Sequence, residues 1–294
     1  VTELGLGTAQ LGLPYGISNR DGQPSEAEAG AIIERAVRAG VRTFDTAPAY
    51  GESEALVGRL LPTGAEIRIV TKTLPLSGAE VTKADCEAVR RSAERSCERL
   101  GRDRLDALLV HHGSDLDRPG SELLAETVLG LRDAGVAARI GISVYDRDEL
   151  DVARKQLPLD VVQFPLNILD QRLIRDGTLA ELREEGVKVH TRSAFLQGLL
   201  LMDPEELPDR LALGAEPLRL FHDVRRGTGL TPIEAALAFV RSAGVDVALV
   251  GTNSAAELEE CAAAMSAEIP ADVDYASLAV DDPDLVDPRR WTTP

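Results

Sequence analysis

The sequence predicts an α/β fold, a single-domain (β/α)₈ barrel over residues 1–294, with its core at about 4–266 and a tail at 267–294. Three observations lead there. Eight short, β-branched apolar runs alternate with longer amphipathic stretches, the pattern of parallel strands joined by right-handed crossover helices. The runs "LDALLVHH" and "VDVALVG" are nearly continuously apolar, as strands are when helices cover both faces. Finally, the first strand leads into "GLGTAQLGLPYGISNRDG", where Gln10 stands at the position of a fingerprint glycine. The part that follows Gln10, "LGLPYGISNRDG", is too dense in Gly and Pro to open a helix, so a doubly wound dinucleotide-binding sheet is disfavoured.

Taken in order, strands are expected near Leu4–Thr8, Val41–Thr46, Ile67–Lys72, Asp106–His111, Arg139–Val144, Asp160–Phe164, Val187–Ser193 and Val245–Gly251. The first long helix follows from "SEAEAGAIIERAVRAG". Ala29, Ile32, Ile33, Ala36 and Val37 share one face, Ser25 and Glu28 form a capping box, and Gly40 stops the helix. The same box is expected at Thr231 and Glu234, with Pro232 in the first turn, and at Ser254 and Glu257. Two segments interrupt the alternation: an insertion at 194–216 and a Pro- and Asp-rich stretch at 270–294. Long connections at the C-terminal mouth of a barrel more often carry function than decoration.

A formal charge of −17 excludes nucleic acid and anionic membrane surfaces as partners, since both need a basic face. Any anionic ligand must then be held by local features. Cys86, Cys97 and Cys261 are odd in number and lack metal-ligand spacing, which fits packed thiols in a reducing compartment. The opening "VTELGLGTAQLG" has no basic n-region, and no apolar run reaches membrane-spanning length, so the expected location is cytoplasmic.

The chemistry is expected at the C-terminal ends of the strands. There stand Asp45, Lys72 and His111, with Tyr50 in the loop after Asp45. Four lysines against twenty-eight arginines make a lysine at a strand end conspicuous. An ammonium beside a phenol favours the phenolate, and Asp45 would keep that ammonium charged. The adjacent His111 and His112 should point to opposite faces of their strand and so cannot share a metal ion; no metal is expected.

These residues carry a resemblance. "DTAPAYG" at 45–51, Lys72 ending "IVTK" and "LLVHH" at 108–112 resemble the aldo/keto reductase superfamily, and "LGLGTAQ", "IGIS" and "VQFPLN" follow in the family's order. The resemblance implies hydride transfer between a nicotinamide dinucleotide, NADP or NAD, and a small-molecule carbonyl or alcohol substrate (aldehyde, ketone or sugar). Tyr50 would be the general acid or base, tuned by Lys72 and Asp45, with His111 orienting the carbonyl. The cofactor would be lined by Gly7, Thr8, Asp45, Ser143, Gln163, Arg192, Ser193, Gly251, Thr252, Asn253, Glu257 and Glu260, with phosphate at the helix that starts near Ser254. A catalytically silent dinucleotide-binding regulatory subunit on the same barrel is the alternative.

The chain departs from the family at three places. Val144 stands where an asparagine often follows the serine. Arg192 replaces the aromatic that usually stacks on the nicotinamide; it suits an acidic substrate group or a phosphate, and with the scarcity of aromatics it points to a polar, sugar-like substrate. Around "VGTNSAAELEECAAA" there is no cation for a 2′-phosphate, and Glu257 replaces a frequent arginine, which leans toward NAD over the family's usual NADP. Arg225 or Arg226 could restore that clamp, so the choice stays open here.

Overall fold

The computed structural model describes residues 1–62, 64, 66–268 and 273–291. Eight parallel strands close in sequence order: β1 (Glu3–Gly7), β2 (Thr43–Asp45), β3 (Arg68–Lys72), β4 (Ala107–Val110), β5 (Ile140–Ser143), β6 (Val161–Pro165), β7 (Lys188–Arg192) and β8 (Val247–Val250), with β8 returning to β1. All eight expected strands are present, most of them shorter than their apolar runs. Hydrogen bonding to neighbours ends before the apolar pattern does.

Side-chain parity within this barrel decides the site. Leu6, Phe44, Ile69, Leu108, Val110, Ile142, Val162 and Val189 belong to the large cluster shared with the helices, so they face outward. A second, small cluster of Val70, Ala107, Leu109 and Val161 fills the barrel interior. Successive strand residues alternate faces. Counting two residues on from the interior cluster places Lys72, His111 and Gln163 inward at the C-terminal end. Counting one on from Phe44 and Ile142 adds Asp45 and Ser143. The barrel's narrow axis also explains two glycines: a Cβ on Gly141 would lie 1.9 Å from the Val161 carbonyl oxygen, and one on Gly5 would lie 2.6 Å from a Leu249 methyl.

The helices form where capping and periodicity place them. Glu26–Arg38 begins with a full capping box between Ser25 and Glu28 and buries Ala29, Ile32, Ile33 and Ala36. Pro232–Ser242 begins with the Thr231–Glu234 box. At Ala255–Ala264 only half the expected box exists. Ser254 caps the Glu257 amide, but the Glu257 carboxylate reaches past Ser254 to accept from Asn253 N at 2.7 Å. The 194–216 insertion folds into three 3₁₀ segments, Leu196–Leu201, Pro204–Glu206 and Asp209–Gly214, leading into the helix Ala215–Thr228. Within the 270–294 stretch, 273–291 contains the short helical turns Tyr275–Leu278, Pro283–Val286 and Pro288–Arg290, while 270–272 and 292–294 lie outside the described residues. Among the described residues, no helix is long and apolar enough to cross a membrane.

Candidate active site

The loop after β2 is pinned by close backbone approaches. Tyr50 N donates to Ala47 O, and Ser53 N donates to Tyr50 O, both at 3.0 Å. A Cβ on Gly12 would lie 1.8 Å from the Tyr50 carbonyl oxygen, and Gly51, at φ 54°, would bring one to 2.4 Å from Gly12 O. Only glycines at both positions let the two segments touch. The following helix, Ser53–Leu60, is tied to β3 and to the helix Lys83–Leu100. Glu54, fully buried, accepts from Thr71 Oγ1 at 2.6 Å and from Ser96 and Arg99. The phenol therefore stands on a rigid turn rather than a mobile tip.

Below it, Lys72 Nζ donates to Asp45 Oδ1 at 2.5 Å and to Thr46 O at 3.0 Å, and Gln163 Nε2 donates to Asp45 Oδ2 at 2.7 Å. Register explains the reach. Asp45 pairs with Val70, so Lys72 lies two residues further along its strand, and its flexible stem leads back across the stagger. Lys72 and Asp45 are almost wholly buried. The Lys72 ammonium lies 5.1 Å from the Tyr50 ring centre, and the His111 ring meets Tyr50 edge-on at 5.9 Å between centroids. Burial by itself would push the Lys72 ammonium down, but the Asp45 carboxylate and Tyr50 beside it more than offset this, so the net shift is upward. Lys72 stays a cation.

His111 behaves oppositely. Burial, followed by the charges of Lys72, His112 and Arg192, pushes its imidazole down to about 2. It is a neutral ring that can donate one hydrogen bond, and its Nδ1 is buried with no partner among the described residues. The expectation that His111 and His112 face opposite sides needs correction. β4 ends at Val110, so strict alternation stops there, and the two rings lie 4.8 Å apart. A second interior imidazole, His190 on β7, is held at about 4, mainly by burial. Both groups titrate below their unfolded value of 6.5, so the stability they contribute is present above that pH and is lost as pH falls. Between about pH 6 and 5 these two histidines are expected to cost about 2.7 kcal/mol per pH unit at most, about 1.4 for each proton the unfolded chain gains. Urea melts at pH 7, 6 and 5 measure this, and His190→Asn should remove about half of the slope.

Above the four residues opens a cavity of about 330 Å³, lined by Gly7, Asp45, Tyr50, Arg192 and Gly251 on strand ends and loops, with Gln10 from a single helical turn, Ala9–Gly12, that does open directly after β1, Tyr15 from the loop beyond it, and Gln197 from the insertion. Gln10 lies where a Gly251 side chain would be: a Cβ there would sit 2.1 Å from its amide oxygen. Gln197 Nε2 donates to the Tyr15 hydroxyl at 3.2 Å, so the insertion bridges to the β1 loop over the mouth. Gln10, Tyr15 and Gln197 were not among the candidates read from sequence. A tyrosine in a Gly/Pro turn, in a chain with four tyrosines, was the available signal for one of them.

The remaining candidates divide. Ser193, Asn253 and Glu257 line the cavity with the residues above. Thr8 borders it too, but its parity is outward. Its fully buried hydroxyl donates to Asp45 O at 3.0 Å and lies 2.7 Å from Ser53 Oγ, which makes it a strut between β1, β2 and the Tyr50 loop. Thr252 is buried, with its hydroxyl unpartnered. Glu260 is exposed on the helix Ala255–Ala264 and does not line the cavity. Ser143 and Gln163 pair across β5 and β6. With Gln163 Nε2 committed to Asp45, its Oε1 is left as a buried acceptor without a partner. Neither Ser143 nor Gln163 lines the cavity itself, but that orphaned acceptor beside a serine matches the amide edge of a nicotinamide carboxamide, and Gly7 adds no side chain to the cavity at the end of β1.

A sequence model described as "Aldo/keto reductase family" matches residues 3–277. A D-threo-aldose 1-dehydrogenase from a Pseudomonas species is 29% identical over 324 aligned positions, covering 95% of this chain and 93% of that protein. An L-galactose dehydrogenase from Arabidopsis thaliana is 27% identical, covering 90% and 85%. Among solved structures, the holo form of an aldo-keto reductase from Bacillus halodurans superposes with a TM-score of 0.74 at 21% identity, covering 98% of this chain and 95% of that one.

Proposed function

Because this chain belongs to the aldo/keto reductase family and is an NAD(P)-dependent oxidoreductase, we propose that it interconverts an aldose and its C1-oxidised form, with Tyr50 as the proton carrier. The observation that carries the reading is the buried chain Gln163–Asp45–Lys72 beneath the Tyr50 phenol, with a neutral His111 ring at its edge. Gly7, Ser143 and Gln163 would hold the nicotinamide of a dinucleotide, which would supply the hydride donor or acceptor. In reduction, the Tyr50 hydroxyl gives its proton to the substrate oxygen. In oxidation, the same phenol oxygen takes it back. Lys72 stabilises the anionic form of that oxygen, and Asp45, held by Gln163, keeps Lys72 charged and aimed. The one N–H of His111 donates to the substrate oxygen and fixes its orientation. The aldose assignment leans on the activity named for the Pseudomonas and Arabidopsis relatives and on the polar side chains of Gln10, Tyr15, Ser193, Gln197 and Asn253 in the cavity.

The cofactor preference we propose is NAD. Glu257, with its carboxylate on Asn253 N, lines the cavity, and Arg192 is the one cation among the described lining residues. Arg225 is engaged with His222 and Leu230 O, and Arg226 with Asp223, so neither reaches the cavity. A carboxylate accepts from a free ribose 2′-hydroxyl and repels a 2′-phosphate. Fluorescence titrations are expected to give NADH binding about tenfold or more tighter than NADPH, a difference of about 1.4 kcal/mol. Tighter NADPH binding overturns the preference. Absence of NAD-linked aldose oxidation across a sugar panel overturns the substrate reading.

A further inference from the structure

Arg192 ends β7 facing inward and lines the same cavity as Tyr50 and Asp45. Its guanidinium stacks on the Tyr145 ring at 4.0 Å and donates to Val144 O at 3.4 Å, a long contact. Among the described residues it has no carboxylate partner. Other partly buried arginines do: Arg99 pairs with Glu54, Arg118 with Asp115, Arg172 with Asp170, and Arg289 with Asp287 and Glu149. In a chain of net charge −17, leaving this cation without a counter-charge is a specific arrangement. A partly desolvated guanidinium with most of its five donors free is costly unless something anionic completes it.

Its surroundings hold it in place for such a ligand. The Arg289 guanidinium lies 3.5 Å from the centre of the same Tyr145 ring. Arg289 also donates to Glu149 Oε1 at 3.0 Å, and Glu149 Oε2 accepts from Tyr145 N at 2.7 Å. The tail turn Pro288–Arg290 and the helix Arg147–Arg154 thereby fix the ring on which Arg192 stacks. The guanidinium thus stands in the wall of the cavity that also holds Tyr50 and Asp45.

We propose that Arg192 is a specificity residue that receives an oxyanion, carboxylate or phosphate, on the substrate, so that the preferred substrate is an anionic sugar rather than a neutral one. This rests on the aldose reading above and deepens it. A guanidinium fork matches either oxyanion in a two-point contact. The neutral parts of a sugar are left to the polar side chains of the cavity, Gln10, Ser193, Gln197 and Asn253. The other source of an oxyanion is the cofactor's pyrophosphate, and the experiment separates the two.

The test compares matched pairs with the same reacting carbon: D-glucuronate against D-glucose for the carboxylate, and glucose 6-phosphate against glucose for the phosphate. The wild-type protein is expected to show a higher kcat/KM for at least one anionic member. Arg192→Gln should lower the anionic-to-neutral ratio of kcat/KM by about 100-fold, and Arg192→Lys by less, because a point charge without the fork survives. NADH dissociation constants for all three proteins are measured alongside. A ratio near one in the wild type overturns the proposal. So does an Arg192→Gln variant whose NADH binding weakens while the ratio stays put, since the anion would then be the cofactor's. Turnover of neutral sugars without any anionic preference leaves the aldose reading standing and removes this one; turnover of no sugar removes both.

Discussion

Tyr50→Phe is expected to lower turnover by about 10²–10⁴ while leaving NADH binding within about threefold of the wild type. The substitution removes one oxygen from a ring on a turn fixed by the Gly12–Gly51 contact and by Ser53, so the backbone has no reason to move. Stability should change little, because the phenol is only half-buried. The signature is a fall in kcat with the dissociation constant of the dinucleotide preserved, which separates loss of a proton carrier from loss of a binding wall. Single-turnover kinetics and a fluorescence titration on the same preparation measure both. Near-normal turnover in this variant would remove Tyr50 from the reaction and with it the chemistry proposed here.

Lys72→Met is expected to damage both activity and folding. The side chain is of similar length, but the Asp45 carboxylate loses the ammonium at 2.5 Å and keeps only Gln163 Nε2 as a side-chain donor. Breaking a buried ion pair from one side typically costs about 3–5 kcal/mol, because the other charge is stranded. The second variant in the cycle, Lys72→Met with Asp45→Asn, removes both charges and should recover most of that stability without recovering turnover. Urea denaturation of the single and double variants, read with activity, distinguishes a pair kept for chemistry from a pair kept for the fold. Recovery of turnover in the double variant would show that the ammonium has no part in the reaction.

Much of the barrel was legible in the chain because its signals are local. The capping boxes at Ser25 and Thr231 and the Gly40 stop are contacts over three or four residues, and the two continuous apolar strands report burial on both faces. The four residues to which the chemistry is proposed were legible for a related reason: an aspartate, a lysine and a histidine at the ends of apolar runs, and a tyrosine in a tight turn, are departures from the local pattern. The Thr8 side chain was harder to place, since its polarity says nothing about which neighbour on a strand faces inward. The Asn253 backbone amide as donor to the Glu257 carboxylate depends on a loop geometry one residue beyond the familiar box.

Composition, caps and periodicity by themselves determined that this chain alternates eight strands with helices, and that Asp45, Tyr50, Lys72 and His111 stand where those strands end. Only the closed barrel decided that Lys72 reaches back two residues to Asp45, that Thr8 braces the Tyr50 turn, and that Arg289 from the tail comes to rest on the ring behind Arg192. Local rules act over a turn of helix or a pair of strand residues. Stagger, inward parity and the return of a distant segment are set by closing all eight strands at once, and no window of sequence contains that condition.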